Sequence, residues 1–339
     1  MANDHVTTGG IEADGRAGAR VTRLPKVTVP TRRIGDLEVS AVGIGCMPMS
    51  DPAMLAERDR AIATVHRALD LGVRLFDTSN IYAPAWDAVG HNEALVAEAI
   101  GSYDGEADLT KVLVTTKGGI TRGEGETWER DSSVDGLRAA CEDSLAQLGV
   151  DIIDLYQHHR HDPDLPYADQ MLAMKALKDA GLIHRIGLSN ATLDELHVAL
   201  DVLGGTADDG VVSVQNEFSP RYRHDRDVLD RCTELGIAFL PWSPLGGAQE
   251  ARDVGSRYAA FREVGEELGA SPQETVIAWL LALSPVVIPI PGATRPTTVD
   301  SIVRAVSVEL TTDQFARLEA TSPRGESMYP EDMPRSPLR

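Results

Sequence analysis

An acid and a phenol lie close together near the first third of the chain, in residues 73–95 (VRLFDTSNIYAPAWDAVGHNEAL). This stretch begins like a buried strand and continues, over residues 92–100, with the period of an amphipathic helix. Asp77 and Tyr82 lie between the two, five residues apart. A free phenol has a pKa of about 10 and is a poor proton donor near neutrality. A nearby ammonium group favours phenolate and lowers that pKa, so a lysine beside Tyr82 would make it a better acid.

The elements around this pair alternate regularly between strand and helix. Short β-branched runs are each followed by a longer segment of helical period. The predicted strands cover residues 42–46, 74–77, 112–117, 152–159, 185–188, 211–216, 238–242 and 286–290. The predicted helices cover residues 58–71, 92–103, 132–148, 167–180, 193–203, 227–235, 272–283 and 298–306.

Eight strands, each followed by a helix, predict a (β/α)8 TIM barrel rather than an open doubly wound sheet. The glycine-rich dinucleotide fingerprint is also missing, because GIGCMP after the first strand has two of its glycines and no helix start. In such a barrel the chemistry lies at the carboxyl ends of the strands. Those ends carry polar or aromatic groups: Asp77, Lys117, His159, Ser189, Asn190, Gln215, Asn216, Trp242 and Ser243.

Composition excludes several classes of partner. The chain has 339 residues and a formal charge of −20, which disfavours binding to nucleic acid or to an anionic membrane. No apolar run reaches the roughly 20 residues of a membrane helix. Cys46, Cys141 and Cys232 are widely spaced and form no C-x-x-C pair. We therefore expect no disulfide framework, no metal site and a reducing, cytoplasmic location.

The ends of the chain differ in character from the middle. Residues 1–26 have no apolar core, so we expect a disordered arm rather than a secretory signal. Residues 27–321 form the predicted barrel as a single domain without an internal linker. Residues 322–339 form a polar, proline-rich tail that either covers the site or remains disordered.

Eight motifs in order resemble the aldo-keto reductase family. They are EVSAVGIGCMPM, FDTSNIY, TTKGG, DIIDLYQHHRHDP, IGLSNAT, VQNEFSP, PWSPLGG and IPIPGATRP, and the resemblance extends from about Arg32 to Leu318. That family uses this barrel with NADPH. The resemblance implies an NADP-dependent oxidoreductase that reduces an aldehyde or ketone, a small-molecule carbonyl substrate, to an alcohol.

The resemblance also implies a catalytic tetrad of Asp77, Tyr82, Lys117 and His159. Carbonyl reduction needs a hydride on carbon and a proton on oxygen, and Tyr82 is the expected proton donor. A carboxylate beside the lysine would hold its charge in place, and a histidine near the carbonyl oxygen would orient it. We choose His159 over His158 because it directly precedes the family's R-x-D-P pattern and shares a strand face with Gln157.

The expected cofactor contacts come from the remaining strand ends. A carboxamide clamp, a stacking tryptophan, a pyrophosphate turn and a 2′-phosphate site are implied, since an amide must satisfy two donors and one acceptor and helix starts suit anions. The residues implied by the resemblance are Gly45, Met47, Asp77, Ser189, Asn190, Gln215, Trp242, Ser243, Pro244, Leu245, Gly246, Gly292, Ala293, Thr294, Arg295 and Ser301.

The sequence departs from the family pattern at two places. Thr298 stands where many members carry Arg or Gln, and residues 301–302 stand where they carry Glu-Asn, so the usual adenine contacts are weakened or replaced. The insert over residues 83–89 is longer than the short loop common in the family. Its Trp86 is our candidate substrate contact, with simple packing of the loop as the alternative. Substrate identity and oligomeric state are not encoded in these motifs.

Two other functions fit parts of the pattern. One is a catalytically slow, nucleotide-binding partner subunit resembling potassium-channel β subunits. The other is a barrel aldolase that uses Lys117 as a Schiff-base nucleophile. An aldolase would have no use for a carboxamide clamp or a stacking tryptophan, so the reductase is the preferred interpretation.

Overall fold

Strands and helices alternate along the chain in the computed structural model, which describes residues 29–329. The arm expected over residues 1–26 and the last ten residues of the tail lie outside the described residues. The strands are β1 (Thr31–Ile34), β2 (Leu37–Ser40), β3 (Ile44–Gly45), β4 (Leu75–Asp77), β5 (Leu113–Gly118), β6 (Ile120–Gly123), β7 (Thr127–Arg130), β8 (Ile153–His158), β9 (Ile183–Ser189), β10 (Val211–Gln215) and β11 (Ala238–Phe239).

The helices lie between these strands and after them. They are α1 (Arg58–Asp70), α2 (His91–Gly101), α3 (Val134–Leu148), α4 (Tyr167–Asp179), α5 (Leu193–Leu203), α6 (Arg226–Leu235), α7 (Gly247–Arg257), α8 (Ala259–Leu268), α9 (Pro272–Leu283), α10 (Pro296–Ala305) and α11 (Thr312–Glu319). Within residues 29–329, no helix has the length and apolar character needed to span a bilayer.

Seven parallel strands form one curled sheet in the order β11-β10-β9-β8-β5-β4-β3. Residues 286–291 close it, because Phe239 N–H donates to Val286 O (2.8 Å) on one side and Gly43 N–H donates to Pro289 O (2.9 Å) on the other. The predicted eighth strand is therefore present in place but is not regular, since Pro289 and Pro291 have no N–H to donate. The predicted (β/α)8 barrel is confirmed.

Three apolar layers hold the barrel together. The interior is filled by large side chains from alternate strand positions, such as Leu75, Leu113 and Leu155. The β1–β2 hairpin packs Ile34 and Val39 against this interior cluster. Two larger clusters fill the space between the sheet and the surrounding helices. The result is a rigid frame whose polar strand ends remain together at one rim.

The predicted helix starts and stops agree well with the structure. Ser133 accepts a hydrogen bond from Gly136 N–H (3.0 Å), and Thr192 forms a capping box with Glu195 before α5. Helix α3 ends at Gly149 in the left-handed region, with φ 67°. The sequence reasoning missed both antiparallel hairpins, β1–β2 and β6–β7, and helices α7, α8 and α11.

The chain after α11 returns across the carboxyl end of the barrel. Glu217, which follows β10 and is 2% exposed, accepts hydrogen bonds from the Ser327 hydroxyl (2.8 Å) and from Met328 N–H (2.9 Å). The ring of Tyr329 lies 5.5 Å from that of Trp242. Of the two alternatives for the tail, residues 327–329 take the covering one.

The two adjacent histidines at the end of β8 point to opposite sides of the sheet, as alternation in a strand predicts. His158 is fully buried outside the barrel, where its Nε2 lies 2.9 Å from the Ser132 hydroxyl and its ring meets the edge of Tyr167. Burial, helped by the nearby charge of His161, lowers the pKa of His158 to about 3. His158 is therefore a neutral packing residue of the folded protein at neutral pH.

We predict that His158 makes the protein sensitive to mild acid. A histidine in the unfolded chain titrates near 6.5, so below about that pH the unfolded chain binds a proton that folded His158 does not. Its contribution to folding is present above about pH 6.5 and is lost as the pH falls towards 3. From about pH 7.5 to 5.5, the wild type should lose about 1.4 kcal/mol more unfolding free energy than His158→Gln.

Urea unfolding at both pH values measures this difference. His184→Gln, at an exposed position of β9, is the matched control and should behave as the wild type does. An equal loss of unfolding free energy in the wild type and in His158→Gln would contradict the assignment.

We also predict that Glu217 holds the C-terminal segment. Arg324 N–H and Gly325 N–H donate to the carbonyl of Arg221 (3.1 and 3.2 Å), so cleavage after Arg324 requires the segment to open. Glu217→Ala removes the acceptor of two hydrogen bonds and should speed tryptic cleavage at Arg324 by at least about ten-fold. Mass spectrometry of the digest detects the fragment. Glu217→Gln keeps an acceptor oxygen and should digest slowly, and equal rates in all three proteins would rule the clamp out.

Candidate active site

A buried ion pair lies at the centre of the rim. Lys117 Nζ at the end of β5 donates to both carboxylate oxygens of Asp77 at the end of β4, at 2.9 and 2.8 Å. It also donates to Thr78 O (2.8 Å) and lies 3.3 Å from the hydroxyl of Tyr82. Lys117 is fully buried. The register explains the meeting, because Asp77 pairs with Thr115 across β4 and β5 and Lys117 is two residues further on the same face.

The environment changes the pKa of both Lys117 and Tyr82. Burial alone would lower the pKa of Lys117, but Asp77 and Tyr82 outweigh it, so the pKa lies above its usual value and the amine stays charged. For Tyr82, burial raises the pKa more than Lys117 lowers it. The expectation that Lys117 would leave Tyr82 with a lowered pKa is therefore wrong for the protein alone. Tyr82 is a protonated phenol at neutral pH, with an ammonium ready to stabilise its anion.

His159 faces the inside of the rim, beside Tyr82. The two rings meet edge to face with centroids 6.0 Å apart, and His159 Nδ1 lies 3.3 Å from the Ser79 hydroxyl. Burial, together with the charges of Lys117 and Arg160, holds the pKa of His159 well below its usual value. His159 is thus a neutral imidazole, with one ring nitrogen placed by Ser79 and the other available to the space above Tyr82.

A layer of side-chain amides supports the ion pair from inside the barrel. Gln215 Nε2 donates to Asp77 Oδ1 (2.7 Å), and Gln157 Nε2 donates to Asp77 Oδ1 (3.3 Å) and to the Thr115 hydroxyl (2.8 Å). All are buried. The sequence reasoning assigned Gln215 to a carboxamide and did not single out Gln157 or Thr115. Alternation within β8 was the available signal, since Gln157 lies two residues before His159.

The ends of β9 and β11 form a strained polar ledge. Asn190 Nδ2 donates to His159 O (3.0 Å) and its Oδ1 accepts from Trp242 Nε1 (3.0 Å), while the Ser189 hydroxyl donates to Gln215 O (3.0 Å). Asn190 has φ 56°, a left-handed conformation that asparagine tolerates, and Ser243 has φ 45°, which is unfavourable for serine. Strain of this kind is typical of functional sites. Trp242 is half-buried, with its ring at the rim.

A tight turn leads from Trp242 into helix α7. Gly246 N–H donates to Ser243 O (2.7 Å), and Pro244 and Leu245 complete the turn. Gly246 and Gly247 have φ 78° and 89°, and no side chain caps the first turn of α7. The first N–H groups of α7 therefore have no capping side chain as acceptor.

Helix α10 starts in a similar way on the other side of the barrel closure. Ala293 is buried, Thr294 is half-buried, and Gly292 and Arg295 are exposed. No side chain caps α10, whose N-cap residue is Arg295. Ser301 donates to Glu274 Oε1 (2.8 Å) of α9, and its expected contact with the cofactor stays a prediction. The structure thus gives Ser301 a role in packing between α9 and α10.

Two of the expected cofactor residues lie at the edge of β3. Gly45 is buried against residue 290, and a Cβ atom there would come within 2.8 Å of Ile290 O. Close approach of two backbones is thus a sufficient reason for glycine at this position. Met47 comes next in a short 3-10 helix and is half-buried.

A cavity of about 470 Å³ opens between this ledge and the C-terminal segment. Arg160, Asn190, Trp242, Glu217 and Tyr329 are among the residues that line it. Arg160, Glu217 and Tyr329 were not expected from the sequence; Arg160 directly follows His159, which was a usable signal. Trp86, the candidate substrate contact, is 39% exposed and does not line this cavity. Among residues 29–329, no group of three or more His, Cys, Asp or Glu residues is placed to hold a metal ion.

Comparison with known proteins places the chain among relatives of one kind. The uncharacterized oxidoreductase C215.11c of Schizosaccharomyces pombe is 33% identical over 292 residues, which cover 85% of this chain and 89% of that protein. An aldo/keto reductase from Klebsiella pneumoniae in complex with NADP and acetate has 22% identity and a TM-score of 0.72, covering 91% of this chain and 99% of that one.

The glycerol dehydrogenase AKR11B4 from Gluconobacter oxydans shares the fold to a similar extent, with 22% identity and a TM-score of 0.71 over 91% of this chain and all of that one. The sequence profile of the Aldo/keto reductase family matches residues 41–323, which include every strand of the barrel. On this match the chain belongs to the aldo/keto reductase family.

Proposed function

We propose that this protein reduces an aldehyde or ketone to an alcohol with NADPH, and that Tyr82 is the proton donor. The observation that carries the proposal is the contact of Tyr82 with a buried ammonium: 3.3 Å separates its hydroxyl from Lys117 Nζ. A phenol hydrogen-bonded to a lysine that is itself fixed by Asp77 is a proton donor whose anion is stabilised before it forms.

The rim has groups suited to each part of NADPH. Ser189 and Asn190 of the ledge, with the neighbouring Gln215 of the amide layer, offer amide and hydroxyl groups for a carboxamide, and Trp242 offers a ring face for the nicotinamide. The uncapped start of α7 suits the pyrophosphate, and the uncapped start of α10 suits the 2′-phosphate. The exposed guanidinium of Arg295 adds a charge there that NADH would not use.

When bound, NADPH would supply the hydride for the carbonyl carbon. Tyr82 gives its hydroxyl proton to the carbonyl oxygen, so the substrate gains two hydrogens and leaves as an alcohol. The resulting phenolate faces Lys117, whose pKa is raised because Asp77 and Tyr82 outweigh the effect of burial. The raised pKa of Tyr82 in the protein alone keeps the proton in place until the reaction requires it.

His159 orients the carbonyl in this proposal. It is neutral, since burial and nearby cations lower its pKa. The proposal places the ring proton on Nε2, which donates to the carbonyl oxygen. This tautomer requires the single proton of the Ser79 hydroxyl to go to His159 Nδ1 (3.3 Å) rather than to Asn80 Oδ1 (3.2 Å). A neutral donor stabilises developing negative charge without competing with Tyr82 as the acid.

The same contacts argue against the aldolase alternative. A Schiff-base lysine must be an uncharged amine with a free lone pair. Lys117 donates to Asp77, Thr78 and Tyr82 and has a raised pKa, so it is a charged donor with no lone pair. The reductase chemistry needs this charge, and the aldolase chemistry is blocked by it.

We predict that Tyr82→Phe abolishes reduction and preserves cofactor binding. The variant removes one oxygen atom, so turnover of a panel of aldehydes and ketones should fall at least about 10²-fold, the lower range for loss of a general acid. Oxidation of NADPH measures turnover, and fluorescence titration measures binding. Tyr103→Phe, whose hydroxyl contacts Asp70 far from the rim, is the matched control. Near-normal turnover of Tyr82→Phe would show that Tyr82 is not the acid.

We predict that Arg295→Ala weakens NADPH selectively. A charge-assisted hydrogen bond to phosphate contributes about 1.5–3 kcal/mol, so affinity should fall by roughly ten-fold or more. NADH has no 2′-phosphate, and its affinity should change little. Titration of both cofactors decides the matter, with Arg138→Ala on α3 as a control for loss of one positive charge. Equal losses for NADH and NADPH would mean that Arg295 holds the loop rather than the phosphate.

A further inference from the structure

The loop that carries Tyr82 accepts hydrogen bonds from a residue outside the barrel strands, Arg122. Arg122 lies in the β6–β7 hairpin, which comes after β5. Its Nη1 donates to the carbonyl of Ala83 (2.6 Å) and to the carbonyl of Ile81 (3.3 Å). These two carbonyls flank Tyr82 on either side in the chain. Within residues 29–329, neither of them has another hydrogen-bond donor.

Arg122 itself is fixed by its own hairpin. Its Nε donates to Glu126 Oε2 (2.7 Å), and its guanidinium lies 4.9 Å above the ring of Trp128. The side chain of Arg122 is 9% exposed and that of Glu126 is 38% exposed, so solvent screens the ring contact of Arg122 less than its ion pair with Glu126. The other carboxylate oxygen of Glu126 accepts from Trp86 N–H (3.0 Å). Arg122 and Glu126 together thus hold the loop at residues 81, 83 and 86.

The geometry of the hairpin favours this task over simple packing. Glu126 has φ 63°, an unfavourable conformation for a residue with a side chain, and it is the residue whose carboxylate reaches both Arg122 and Trp86. Trp128 packs with Ile81 and, at the edge of the same cluster, Tyr82. Trp128 of the hairpin therefore packs beside the proton donor. The side chains of Arg122 and Glu126 hydrogen-bond to the backbone of the loop that carries it.

We infer that Arg122 is a positioning residue for the proton donor. It fixes the backbone on both sides of Tyr82 and so keeps the phenol oxygen within hydrogen-bond distance of Lys117 and beside His159. This inference rests on the proposed function, in which Tyr82 is the acid. Displacement of a reacting group by about 1 Å is enough to lower a rate by about 10²-fold. Loss of the Arg122 hydrogen bonds to this loop should therefore slow the reaction.

The contacts of Arg122 with the loop depend on the shape of its guanidinium group. A planar fork can donate to two carbonyls and a carboxylate at once, whereas the ammonium of lysine is a point charge on a flexible stem. Arg122→Lys preserves the charge next to Glu126 and removes the fork. It therefore separates positioning from electrostatics, and it provides a milder change if Arg122→Ala fails to fold.

The test measures single-turnover reduction of one aldehyde from the panel at saturating NADPH. Arg122→Ala and Arg122→Lys should lower the hydride-transfer rate by about ten- to a hundred-fold. The Kd for NADPH should stay at the wild-type value, because Arg122 touches none of the cofactor ledge. Thr121→Ala, at an exposed neighbouring position of β6, is the matched control and should react at the wild-type rate.

A second arm asks whether Arg122 acts through Tyr82. In the Tyr82→Phe background no proton donor remains to be positioned, so Arg122→Lys should cause no further loss of rate. An equal loss in both backgrounds, a wild-type rate in Arg122→Lys, or a rate loss that parallels weaker NADPH binding would each overturn the inference. Full activity of Tyr82→Phe alone is a different result, because it rejects the proposed function itself.

Discussion

The rest of the site depends on one buried charge, the ammonium of Lys117. A charge with no solvent exposure is tolerated when its partners are complete, and removal of one partner of such a pair typically costs about 3–5 kcal/mol. Asp77, Thr78 O and Tyr82 surround Nζ, and Gln215 and Gln157 in turn satisfy the Asp77 carboxylate. The amide layer inside the barrel is thus a requirement of the ion pair. The Tyr82 hydroxyl, 3.3 Å from Nζ, therefore meets the positive end of this ion pair.

The barrel brings the residues around this ion pair together at one rim. Parallel register aligns Gly45 with Asp77 and Asp77 with Thr115, so successive strands end at the same rim. Asn190 and Ser243 leave their strands in left-handed conformations that turn the next stretch of backbone over this rim. Such conformations are maintained because the strands below are buried and closely packed, which leaves the ledge little room to relax.

The sequence was sufficient to predict features that depend on periodicity and insufficient to predict features that depend on burial. Strand alternation separated His159 from His158, and cap residues such as Ser133 located helix starts within one or two residues. The sign of the pKa change at Tyr82 was wrong, because the desolvation of a phenol depends on neighbours from the whole fold. The hairpin over residues 120–130 was missed for a similar reason. Its glycines and charges are typical of a loop, and its pairing depends on Arg122 over Trp128 and on Glu126.

The two segments added around the rim are fastened by the same physical means. The hairpin is joined to the Tyr82 loop through Arg122, and the C-terminal segment is joined to the end of β10 through Glu217. In each case one buried or nearly buried charge accepts or donates several hydrogen bonds, which are stronger than neutral ones and cost more to break. The barrel strands fix the reacting groups, while these two attachments decide how much space remains above them. A change in either segment would therefore alter the pocket without disturbing the ion pair beneath, provided that the new segment has a charged side chain of its own that hydrogen-bonds to the rim.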